Sequence, residues 1–186
     1  MSENVITRQG KAIETPSIIT MLLTDKRFAI LWLPIRVWLG LQWVEAGYHK
    51  LTNPAWMQTG LALKGFWTGA TQIPAEGHPA VAYGWYREFL QMMLNAQAYT
   101  WFAKIIAVSE TLIGVAFILG IFVGLTAFIG GFMNWNFIMA GSASVNGMFF
   151  GLAVLLVLAW KIAGYIGLDY FLLPRISALW TRSKTE

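Results

Sequence analysis

From Thr100 to Leu168 the chain is almost continuously apolar, broken only by glycine-rich turns and a few polar side chains, and this run limits the fold more than any other feature. Backbone amides in hydrocarbon must find partners within their own segment, so such a run folds as helices joined by tight turns. A helix needs ~20 residues to cross ~30 Å of hydrocarbon. That length places spans at about 101–119, 125–140 and 148–166, with turns at Gly120 to Gly124 and Gly141 to Gly147. Another apolar segment, about 28–48, supplies a span upstream, and its Pro34 falls in the first two turns, where a lost amide hydrogen bond costs least. The expected fold is an all-α integral membrane protein, a four-transmembrane-helix bundle.

Composition points the same way. Only 12% of the 186 residues are charged, against about 25% in soluble domains, and mean hydropathy is +0.57. Ten Trp and eighteen Gly suit a bilayer, where Trp anchors at the interface and Gly is frequent in spans. Cysteine is absent, which excludes disulfides, thiol chemistry and thiolate-held iron–sulfur or zinc centres within the chain. The net charge of +4 is small and its basic residues sit mostly near the termini, a pattern of membrane orientation and not of nucleic-acid binding.

Residues 1–27 are polar apart from Ile18 to Leu23, too short to span, and carry no signal-peptide pattern. Residues 51–99 break the hydropathy with Pro54, Pro74 and Pro79 and several glycines, interleaved with aromatic residues. A structureless loop of that length is unusual, so short helices are expected at about Ala55 to Leu63 and Trp85 to Leu94, forming an extracytoplasmic cap between the first and second spans. An amphiphilic tail, 169–186, closes the chain. Arg8, Lys11, Lys26 and Arg27, with Arg175, Arg182 and Lys184, outnumber Lys50, Lys64 and Arg87 of the loop. The positive-inside rule then puts both termini in the cytoplasm of a prokaryotic cell (inner) membrane, with the cap outside.

The stretch from Arg36 to Lys50 places Arg36, Gln42, Glu45, His49 and Lys50 in or beside hydrocarbon, where ionisable groups are expensive and mark function by default. At 1.5 Å rise per residue, Arg36 falls roughly 20 Å below the outer end of the first span and Glu110 roughly 15 Å below the outer start of the second. The two are expected to pair inside the bundle, beside Asn134 and Asn136 of the third span. This pair is either a register lock or part of a polar pocket for an anion or a proton path. Glu45 and His49 share one helix face a turn apart, with Lys50 and Lys104 near the same level. They read either as an interfacial cluster with snorkelling lysines or as a basic mouth with proton carriers. His49 and His78 are the only histidines, so bis-His haem ligation within the chain is not expected, and the eight Met read as packing residues.

Arg36, Gly40, Ala46-Gly47 and Lys50-Leu51, followed by Glu110, Gly114, Leu119-Gly120 and Gly124, resemble the two signatures of the DoxX/DoxD membrane proteins. Gly60 to Gly65, Trp85-Tyr86, Met133-Asn134, Ala140-Gly141, Ser144 with Asn146, and Ile166-Gly167-Leu168-Asp169 are similar to the branch that includes the large subunit of thiosulfate:quinone oxidoreductase. The resemblance covers about residues 28 to 174. It implies a membrane subunit that, with a smaller DoxA-like partner subunit, oxidises thiosulfate and reduces membrane quinone. On that reading Arg36, Lys50, Asn134 and His49 bind the substrate anion, and Glu110 and Glu45 carry protons. Quinone is the electron acceptor, the lipid bilayer surrounds the chain, and a homo-oligomer is left open. Two alternatives stay beside it: a non-enzymatic accessory or scaffold subunit, and a small-solute transporter, for which no inverted repeat is evident.

Overall fold

A computed structural model describes residues 17–182. Arg8, Lys11 and Lys184, which weigh on the expected orientation, lie outside the described residues. Among the described residues ten α-helices follow one another, with one short 3-10 turn, Lys26–Phe28, after the first: α1 (Ser17–Thr24), α2 (Ala29–Leu51), α3 (Pro54–Met57), α4 (Leu61–Thr71), α5 (Gly84–Asn95), α6 (Tyr99–Leu119), α7 (Val123–Met139), α8 (Asn146–Leu158), α9 (Trp160–Ala163) and α10 (Asp169–Arg182). The described residues contain no strand, so the fold is all-α. Among them α6 is long and apolar enough to cross a membrane, with a mean hydropathy of 2.0 over its best stretch. Helices α7 and α8 are apolar but shorter, and α2 has the length but carries Arg36, Glu45, His49 and Lys50.

The helices lie close to the expected spans, and each departure has a local cause. The fourth segment breaks at Ala159, so α8 and α9 replace one helix over 148–166. The second turn comes early, leaving Gly147 inside α8. The helix expected from Ala55 to Leu63 is two, α3 and α4, because Gly60 between them adopts φ +72° and abuts the Tyr99 carbonyl. A β-carbon there would meet that carbonyl, so the chain must turn at a glycine.

Two apolar cores hold the bundle. One gathers Trp32, Leu39, Trp43, Ile113, Phe117, Val123, Leu156 and Ile162 from α2, α6, α7, α8 and α9. The other gathers Leu63, Trp67, Tyr86 and Leu90 of α4 and α5 around Tyr99, Ala103 and Ile106, the first turns of α6. Met133 and Phe137 of α7 pack against both. The outward faces are apolar as well, with Ile30, Leu112, Leu125 and Phe128 more than half exposed, while Arg36, Glu110 and Asn134 are buried.

Helices α2 and α6 run antiparallel along a seam of small residues. A β-carbon added at Gly40 would lie 2.8 Å from the Gly114 carbonyl oxygen, and one at Gly47 would lie 2.7 Å from the Thr111 amide nitrogen. Such close approach gives backbone-to-backbone dispersion contact that larger side chains forbid. The seam also sets register. Twelve residues of α6 precede Thr111 but only four of α2 follow Gly47, so α6 rises about 12 Å beyond the end of α2. The cap helices cover that extension.

Candidate functional site

This register separates the two charged groups expected to pair. Arg36 lies level with Gly120 at the end of the bundle away from the cap, whereas Glu110 lies level with Ala46 to Lys50 at the cap end. The expectation of an Arg36–Glu110 pair is therefore corrected: it took the cap-side ends of the first two spans as level, and they differ by about 12 Å.

Arg36 is 1% exposed. Its Nη1 donates to the Ala163 carbonyl at 3.1 Å and its Nη2 to the Ile166 carbonyl at 2.8 Å, closing the carbonyl end left open after α9. Asp169, also buried, accepts from the amides of Phe122 at 2.6 Å and Val123 at 2.9 Å and so caps the start of α7. The amides of Leu168 and Asp169 donate to the carbonyls of Leu119 and Gly120. Gly120, at φ +69°, and Gly167 press on the guanidinium, whose buried Nε has no partner among the described residues. This end is a closed knot, and Arg36 is not brought together with the other expected anion-binding residues.

At the cap end Lys50 Nζ bonds Glu110 Oε2 at 2.6 Å, with Glu110 2% exposed and the Lys50 side chain 21% exposed. The ammonium also lies 5.2 Å from the centre of the Trp56 ring, a cation–π contact. Both charges face a cavity of about 290 Å³ between α2, α7, the α7–α8 turn and the cap, with Gln42, Trp43, Asn134, Ser142 and Asn146 also in its wall. Asn146 donates to the Ser142 carbonyl at 2.7 Å and pins the turn. Asn134 is fully buried, yet among the described residues neither its amide nitrogen nor its oxygen has a partner, and the Trp43 indole N–H is likewise unpaired. A buried polar group without a partner costs ~1–3 kcal/mol, and groups left so are commonly completed by a ligand or water.

Of the residues expected to form the site, Lys50, Glu110 and Asn134 meet in this cavity. Glu45 and His49 do not. They approach each other at 3.9 Å, but their side chains are 65% and 73% exposed on the outer face of α2. One turn of helix put them on one face, and that face points away from the bundle. Trp43, Ser142 and Asn146 join the site without a signal in the sequence. Nothing local distinguishes Trp43 from an interface anchor, and the partners of the other two lie in a turn. Among the described residues no group of three His, Cys, Asp or Glu side chains is placed to hold a metal.

A second cavity of about 370 Å³ lies between α4, α5, α6 and α7. Its wall is apolar apart from Ser109, Asn136 and Tyr86, whose hydroxyl bonds Asn136 at 3.1 Å and ties the cap to α7. Leu63, Phe66 and Phe137 belong to the walls of both cavities.

No protein-family model matches the chain, and neither a curated protein nor a solved structure is detectably similar to it.

Proposed function

We propose that the chain is a DoxX/DoxD-type membrane subunit that couples thiosulfate oxidation to quinone reduction, with the cap-end cavity as its reaction site. The observation that carries this reading is the cavity itself: one acid–base pair, Lys50–Glu110, beside two unpaired polar groups, Asn134 and Trp43, under an aromatic cap. Helices α2, α6, α7 and the α8–α9 segment are the four spans. The apolar outer faces and the buried charges support that arrangement, because lipid rewards the first and the bundle interior tolerates the second. The cap and the Lys50 mouth face outward, and both termini face the cytoplasm.

The chemistry balances without a resident cofactor. Two thiosulfate ions join through a new S–S bond to give tetrathionate and release two electrons; quinone takes those electrons and two protons to become quinol. Lys50 attracts the anions at the mouth. The Lys50–Glu110 pair lies in the cavity wall and holds one transferable proton between ammonium and carboxylate; it passes that proton to the reduced ring, is reprotonated by water at the mouth, and passes the second the same way. Asn134 and Trp43 orient the ring by hydrogen bonds.

The test uses the protein purified with its partner subunit in lipid nanodiscs, following quinone absorbance after thiosulfate is added. Glu110→Gln is expected to lower the rate by roughly 100-fold or more, as loss of an acid–base group does. An undiminished rate in both Glu110→Gln and Asn134→Leu would remove the site assignment.

A further inference from the structure

The two cavities share a wall but differ in chemistry, and the difference matches the two halves of one kind of molecule. Resting on the quinone reading above, we propose that they form a single bipartite site for an isoprenoid quinone, the ring in the cavity beside Lys50 and Glu110 and the tail in the apolar cavity under the cap.

The volumes support a joint occupant. At about 290 and 370 Å³, each lies near the ~300 Å³ floor for small-molecule sites, and only together do they reach well into the usual range. Leu63, Phe66 and Phe137 stand in the walls of both, and the two phenylalanines are only partly buried. A change of rotamer at either phenylalanine is the movement that would join the two volumes.

The polar half suits a quinone ring in both redox states. A quinone offers two carbonyl acceptors, and the unpaired Trp43 indole N–H and Asn134 amide N–H are donors. A quinol offers hydroxyl donors, and the unpaired Asn134 oxygen accepts. An anionic lipid headgroup would use only Lys50 and leave the Trp43 N–H and the Asn134 amide unmatched to a planar ring. The apolar half opens past Phe89, Ile105, Ile129 and Phe132, all exposed on the outer surface. A tail confined to hydrocarbon can enter sideways there, while the ring follows it inward.

The test compares a tailless benzoquinone with the same ring bearing a prenyl tail, their affinities for the purified protein read by tryptophan quenching. In the unaltered protein the tailed ring should bind roughly tenfold or more tighter, the worth of burying a few methylene groups. Ser109→Phe, or Met93→Trp should that variant fail to fold, fills the apolar cavity without touching the polar one. Either should erase the advantage of the tail and leave the tailless ring's affinity unchanged. Equal affinities in the unaltered protein overturn the bipartite site, as does a tail advantage that survives a folded variant. So does loss of a co-purified phospholipid on filling the cavity with the tail advantage intact. Thiosulfate-driven reduction with indifference to the tail leaves the proposed function standing and removes only this inference. Failure of every quinone to bind removes both.

Discussion

The two ends of the bundle use buried charge in opposite ways. At the end away from the cap, the Arg36 Nη atoms and the Asp169 carboxylate bond backbone groups of the breaks between helices, and glycines pack against both side chains, although the Arg36 Nε is left without a partner among the described residues. At the cap end, Lys50 and Glu110 bond each other beside open volume, and Asn134 and Trp43 are left unpaired. The first arrangement stabilises the chain; the second forgoes stability at a place where a ligand can supply what is missing. The difference teaches that burial of a charge is no guide to its role until its partners are known. Backbone partners tie the fold, whereas a side-chain pair facing a cavity remains free to change partners.

The largest effect should come from breaking the closed end. Arg36→Ala leaves two buried carbonyls and Asp169 without a counter-charge, and is expected to lower stability by about 3–5 kcal/mol in thermal unfolding of the detergent-solubilised protein. A loss as small as that of an exposed lysine would mean the knot is not structural. Next, Gly120→Ala places a β-carbon on the guanidinium at a left-handed φ of +69°, and should cost about 2–3 kcal/mol. Gly151→Ala, where nothing stands within 4 Å, should be neutral or slightly stabilising in the same measurement.

At the cap end the effects are smaller, and one of them reverses sign. Glu110→Gln strands Lys50, whose side chain keeps 21% exposure, so the cost should be only about 1–2 kcal/mol. Adding Lys50→Met should return most of it in a double-mutant cycle, and a strictly additive double variant would show that the pair is not coupled. Asn134→Leu should hold or raise stability, by up to about 1 kcal/mol, while abolishing quinone binding, since it removes two unpaired polar atoms from the core. A fall in stability without a loss of binding would reverse the contrast between the two ends. Glu45→Ala and His49→Ala, both on the exposed face, should stay within about 0.5 kcal/mol and leave quinone affinity unchanged.

Much of this protein is legible in the chain because it depends on near neighbours. Hydropathy runs and glycine breaks locate α2, α6 and α7 to within a few residues but miss the break that ends α8 at Leu158, and the proline and aromatic pattern of 51–99 announces short cap helices. Cost in hydrocarbon marks Arg36, Lys50, Glu110 and Asn134 as residues needing an explanation. Their partners were not legible. Asp169 caps amides 46 and 47 positions away, and the Lys50–Glu110 bond spans 60 residues. Such pairings follow from how far one helix slides along another, and the Gly40–Gly114 and Gly47–Thr111 contacts set that slide. The sequence by itself therefore determined the helices and the charged residues that had to be sheltered. Only the tertiary structure decided which charge meets which, because a shift of 12 Å between two antiparallel helices leaves every local pattern unchanged while exchanging every partner.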